Sequence, residues 1–256
     1  MRPSPLPQKL LGLAVAICSV LLSRAVHAQT DEIQVYTGDL ESPGKFNVTL
    51  HANYTPSGRT TAAIPGGVVP QGSVNGAFEW AYGVTDWFEA GAYMPVYTIT
   101  RRGQILLDGA KLRALFAVPN AGARRLFYGV NFELSRNSRD WDQSRYGAEI
   151  RPIIGVRSGP WDLIANPILD TSFNGLSHLE FMPAVRLAYN RSRAWAGAIE
   201  YYGDFGEVRD LREGESSIFA VADRAGRVLD VEAGIGFGIT SGSDKVVLKT
   251  ILSHTF

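Results

Sequence analysis

Cysteine is nearly absent. The chain of 256 residues holds one, Cys18, inside its first thirty positions. Beyond that point no disulfide, thiolate metal site or cysteine nucleophile is available. Val15-Ala16-Ile17 before Cys18 is a poor lipobox, so no lipid attachment is expected there. Histidine is scarce too, and His51, His178 and His254 lie far apart in sequence. No metal and no cofactor are expected from them. An excess of one charge is also missing, with 25 basic against 25 acidic residues. That balance gives no footprint for nucleic acid. Finally, no segment after the first thirty residues reaches 18 consecutive apolar positions, so a spanning helix is excluded there and a membrane form has to cross with strands.

The N-terminus reads as an export signal. Arg2 and Lys9 precede an apolar run from Leu10 to Leu22, which is short for a spanning helix. Ala25-Val26-His27-Ala28 then offers small residues for cleavage before Gln29. Residues 1–28 are therefore expected to be a removed signal peptide. Their loss leaves 22 basic against 25 acidic residues, a net charge of −3. Residues 29–43 form an acidic stretch carrying Ile33, Val35 and Tyr36, expected either in the periplasm or folded into a lumen as a plug. Residues 44–256 are expected to form one domain.

That domain alternates apolar and polar residues with period two, as a strand with two different faces does. In 178–190, Leu179, Phe181, Val185, Leu187 and Tyr189 share one face, and Glu180, Arg186 and Asn190 the other. The pattern predicts strands at 44–55, 71–83, 86–98, 107–118, 124–135, 145–157, 160–171, 177–190, 193–204, 215–224, 227–239 and 245–256. Each is longer than the ~5–6 residues usual in soluble sheets and near the ~9–11 that a tilted strand needs to cross a bilayer. Pro152 and Pro183 interrupt the pattern, and bulges are expected at both. Links after even strands are short and several after odd strands are long and polar. An up-and-down antiparallel barrel of about twelve strands, with both termini and the short turns in the periplasm, has this layout.

Trp80, Tyr82, Trp87, Trp161, Tyr189 and Trp195 lie beside the short links, where a membrane interface favours amphipathic rings. The chain ends on Phe256, like the terminal signal read by the barrel-assembly machinery, although His254 departs from it. With the apolar face toward lipid and lipopolysaccharide, the lumen receives Glu79, Glu89, Lys111, Arg113, Glu133, Glu149 and Arg151. It also receives Arg157, Asp162, Asp170, Glu180, Arg186, Glu200 and Glu232, with His51, His178, Asp230 and Lys249 in the same register. The set leans acidic. Two outcomes compete: charges that pair and fill the barrel, or a narrow water-filled pore that prefers cations.

Several stretches resemble an uncharacterised family of proteobacterial outer-membrane proteins labelled as transporters. They are Asp31-Glu32-Ile33-Gln34-Val35-Tyr36, Phe132-Glu133-Leu134-Ser135, Arg151-Pro152-Ile153-Ile154-Gly155, Asn166-Pro167-Ile168-Leu169-Asp170 and Glu200-Tyr201-Tyr202-Gly203-Asp204. The chain is more loosely similar to outer-membrane proteins of aromatic-compound degradation. The resemblance implies a barrel and passage of small solutes, and no particular substrate.

No catalytic constellation stands out. Asn174-Gly175-Leu176-Ser177-His178 has the residue types of an outer-membrane phospholipase without their order. Ser253 and His254 are adjacent on a strand, so their side chains point to opposite faces. Asp204 and Asp210 have no histidine beside them in sequence, as an omptin-like protease would need. An enzyme is not expected. Asn137, Asp140 and Asp142 offer oxygen ligands for Ca²⁺, but a solvated polar loop is the simpler reading. Gly234-Ile235-Gly236-Phe237-Gly238 sits within a strand and opens no helix, so it is not a nucleotide loop.

Overall fold

The computed structural model describes residues 32–212 and 214–256. The expected signal peptide and its cleavage site lie outside the described residues.

Fourteen β-segments form one antiparallel sheet that closes on itself through β1–β14. They are β1 (Phe46–Ser57), β2 (Val74–Gly83), β3 (Phe88–Ile99), β4 (Ile105–Ala117), β5 (Leu126–Asn137), β6 (Tyr146–Ser158), β7 (Trp161–Asn166) and β8 (Leu169–Thr171). The ring continues with β9 (Glu180–Phe181), β10 (Ala184–Asn190), β11 (Trp195–Asp204), β12 (Glu215–Arg224), β13 (Asp230–Gly238) and β14 (Val246–Thr255). β7 with β8 makes one interrupted stave, and β9 with β10 another. The result is a closed barrel of twelve staves.

The two interruptions differ from the continuous strands expected over 160–171 and 177–190. Leu176–His178 is a 3-10 turn, and His178 is exposed in the loop instead of facing the lumen. Asp230 pairs with Ser253 on the inner face, as expected, but it lies at the rim, where it is exposed. The cause of the breaks is a row of prolines. β6 pairs β7 through Ile154↔Ala165 and β8 through Ile150↔Leu169, so Pro152 lies opposite the gap at Pro167-Ile168. On the next stave Ala184 pairs Asn166 and Phe181 pairs Leu169, which sets Pro183 at the same level. Proline cannot donate to a ladder, and aligning three of them confines the missing bonds to one place. The expected bulges are not at Pro152 or Pro183. The register shifts lie in the β1–β14, β2–β3 and β3–β4 pairings instead, as at Tyr93/Val96.

The wall has two unlike faces. On β10, Ala184, Arg186 and Ala188 are 1%, 6% and 4% exposed, whereas Leu187 and Tyr189 are 43% and 44% exposed. The same alternation leaves Leu112, Leu134, Ile154, Ile199 and Leu248 on the outside. A continuous apolar exterior around a polar interior is the reverse of a water-soluble barrel, and it suits lipid outside. Two inner aromatic rings fill the lumen by lying across glycines on the neighbouring strand. Phe127 faces Gly155 and Phe219 faces Gly236, and a Cβ at either glycine would run into the ring.

Links at 84–87, 118–125, 159–160, 191–194 and 225–229 all lie at one mouth, and the others, including the longest at 58–73 and 205–214, at the opposite one. Beside the short links Trp80, Tyr82, Trp87, Trp161, Tyr189 and Trp195 are exposed on the outer wall. Phe256 joins them at the barrel seam, its ring 6.3 Å from that of Phe46, which lies 6.0 Å from Trp80.

Candidate functional site: the lumen and its N-terminal strand

Residues 32–45 precede β1 without entering the sheet. They leave the short-link mouth, where the Gly44 amide donates to the Gly83 carbonyl at 2.8 Å, and run up inside the barrel. Glu32, Ile33, Val35 and Tyr36 are buried there. The backbone amide of Tyr36 donates to Asn166 Oδ1 at 2.7 Å, and Asn166 Nδ2 returns a bond to the Tyr36 carbonyl at 3.2 Å. That exchange gives the segment's polar backbone the partners it would otherwise find in a sheet.

Four groups of inward charges surround this segment. In the first, Glu79 accepts from His51 Nε2 at 3.0 Å and pairs with Arg113 at 2.8 Å. Arg113 also pairs with Glu89, whose Oε2 accepts the Glu41 amide at 2.6 Å. In the second, Arg151 joins Glu149 at 2.7 Å to Glu32 at 3.1 Å, and Lys111 lies 3.5 Å from Glu133. In the third, Arg157 meets Asp162 at 3.3 Å and Asp39 at 3.9 Å, with its guanidinium over the Phe127 ring. In the fourth, Arg186 pairs with Glu200, Asp223 and Glu232, and Lys249 pairs with Glu200 at 2.5 Å and Glu232 at 2.6 Å. Lys249 Nζ also donates to the Ile33 carbonyl at 3.2 Å, tying this group to the segment. Burying charge is costly unless it is paired, and this lumen pairs it heavily.

Tyr36 sits at the centre. The Arg151 guanidinium lies 4.5 Å from its ring centroid and that of Arg113 lies 5.7 Å away. Its hydroxyl meets Tyr93 and donates to Glu133 at 3.3 Å. Burial, reinforced by Glu32, pushes its pKa well up, so the hydroxyl keeps its proton as a donor. The sequence names Tyr36 only as an apolar member of the segment. Tyr93, Phe127, Tyr202 and Phe219, also inside, have no signal except their phase in the period-two pattern.

Above the segment, toward the long links, the lumen opens into a cavity of about 280 Å³. Glu32, Ile33 and Gln34 form its floor, and Glu149, Asp170 and Glu180 part of its wall. Of the predicted lumen residues, Lys111, Glu149, Arg151, Asp170 and Glu180 thus face an open space. Among the described residues no group of three His, Cys, Asp or Glu side chains is placed to hold a metal ion. In the loop at 138–145, Asp142 instead accepts from Asn137 Nδ2 at 3.2 Å and from the Ser144 amide at 2.7 Å, which shapes the turn. Ser253 bonds Asn47 inside the barrel, while His254 bonds the Val228 carbonyl outside, so the two form no dyad.

The closed stave ring, the apolar exterior and the charged lumen define a bacterial outer-membrane β-barrel. No protein-family model and no curated protein matches the sequence. Solved structures match the fold. The COG4313 outer membrane channel from Pseudomonas putida F1 aligns with a TM-score of 0.58 at 13% identity, covering 85% of this chain and 97% of that one. The KdgM porin in complex with disordered oligogalacturonate aligns at 0.53 and 6% identity, covering 82% and 99%. The NanC porin aligns at 0.51 and 7% identity, covering 82% and 98%. At such identities the likeness is one of fold.

Proposed function

We propose that this chain is a narrow outer-membrane channel for small solutes, with residues 29–43 acting as a plug inside it. The short links and both termini face the periplasm in this reading. The observation that carries it is the N-terminal segment threaded through the lumen below a cavity of about 280 Å³. Eight strands leave room only for side chains and sixteen leave an open channel, so a barrel of twelve needs little extra chain to narrow it. Its likeness in fold to outer-membrane channels and porins supports passage of small solutes, and the resemblance to proteins of aromatic-compound degradation suggests one solute class to include in a screen. The acidic surplus of the lumen supports a preference for cations. No enzymatic step is part of this reading.

One observation favours a second reading, a non-conducting barrel with a structural or surface role. The Arg186–Glu200–Lys249–Glu232 network fills part of the lumen with paired charge. Planar-bilayer recordings on the chain from residue 29 separate the two. Current above background, with a reversal potential of cationic sign in a salt gradient, is expected. A folded barrel that carries no current supports the second reading, and an anionic sign refutes the preference for cations.

A further inference from the structure

The cavity has a lopsided wall. In register, Glu133 faces Glu149, Glu149 faces Asp170, and Asp170 faces Glu180. Cross-strand partners share one face of a sheet, so four carboxylates lie side by side along β5, β6, β8 and β9, and three of them, Glu149, Asp170 and Glu180, line the cavity. Like charges directly opposite one another destabilise a sheet unless something compensates them. Lys111 and Arg151 are the basic side chains lining this cavity. Arg151 is already engaged by Glu149 and Glu32, and Lys111 lies by Glu133. No hydrogen bond or salt bridge among the described residues holds the side chain of Asp170.

An independent feature points into the same space. Glu32 forms the cavity floor with its side chain 1% exposed. One of its oxygens takes Arg151, and the other, Oε2, is buried with no hydrogen-bond partner among the described residues. A buried acceptor left unsatisfied is costly, and a donor arriving from the cavity would relieve it. The opposite wall presents the rings of Tyr202 and Phe219, with centroids 5.5 Å apart. The same two rings already hold the chain's own Lys249 ammonium, 5.7 Å from each centroid, so this wall tolerates a cation.

We propose that this cavity binds a small organic cation, an ammonium or guanidinium solute, between the carboxylate arc and the aromatic wall. An organic cation fits better than a metal ion, because the carboxylates are spread along separate strands and do not converge as ligands. The volume is below the ~300–1,000 Å³ typical of drug-sized ligands, which limits the occupant to a short amine. The inference deepens the channel reading by naming its solute class, and it rests on solute reaching the lumen.

The test is calorimetric titration of the chain from residue 29, folded in detergent, with 1,4-diaminobutane. Succinate and Ca²⁺ serve as parallel titrants. Saturable binding of the diamine is expected, with none of succinate and weaker binding of Ca²⁺. Asp170→Asn should weaken the diamine roughly tenfold, the loss expected for one charged partner. Glu180→Gln gives a second, independent variant with the same expectation, and heat-modifiable gel migration verifies that both fold. Absence of saturable diamine binding, tighter binding of Ca²⁺, or an affinity unchanged in both variants would overturn the site. Conductance is read separately. A barrel that binds diamine without conducting keeps the site and loses the channel, and one that conducts without binding diamine does the opposite.

Discussion

Lys249 has its side chain fully buried, with its Nζ bonded to Glu200, Glu232 and the Ile33 carbonyl. Removing one partner from a buried network leaves the others uncompensated, at a cost of roughly 3–5 kcal/mol. Lys249→Met should therefore lower the midpoint of urea unfolding from lipid vesicles, and Glu200→Gln in the same background should recover part of the loss. A Lys249→Met barrel as stable as the parent would show that the network contributes little. The glycines opposite inner rings make a second test at this scale. Gly155→Val places methyl groups where the Phe127 ring lies, and overpacking of this kind costs about 1–3 kcal/mol. Gly159→Ala, at an open turn, is a poor control because its φ is +59°, so Gly197→Ala, with only a distant neighbour, is the better comparison. The charges of this interior were legible in the sequence, since an apolar lipid face forces them inward. Their partners were not. Pairs such as Arg151–Glu32 join positions far apart in the chain, and period two carries no information about them.

At the scale of the strand, the sequence is most informative. Alternation identified the outward set on β10, and Leu187 is exposed where Arg186 is buried. Leu187→Arg should cost about 2–4 kcal/mol if the position lies near the bilayer midplane, falling toward the interfaces. The measurement is folding free energy in vesicles, and a cost near zero would place Leu187 away from lipid. Aromatic residues beside the short links were also readable as a cluster at strand ends, and they are exposed on the outer wall. The broken staves were not. Pro152, Pro167 and Pro183 are separated in sequence, and only the register brings them to one level. Single prolines suggest bulges. Aligned prolines relieve one another of ladder bonds, and the 3-10 turn at Leu176–His178 follows from the shortened β9.

For the whole molecule, twelve staves, a lipid-compatible exterior and a polar interior follow from composition and link lengths almost directly. The N-terminal segment is different. Its sequence allowed a periplasmic position or a place in the lumen, and the decision depends on Asn166, Tyr93 and Lys249 waiting inside the barrel. Those contacts become visible only when distant strands are assembled. The central claim is that this segment occupies and narrows a conducting lumen. Single-channel recording of the barrel from residue 29 beside one lacking residues 29–43, both shown to be folded by heat-modifiable migration, tests it most directly. A clearly larger unitary conductance in the truncated barrel is predicted. Equal conductance in the two barrels would contradict the account.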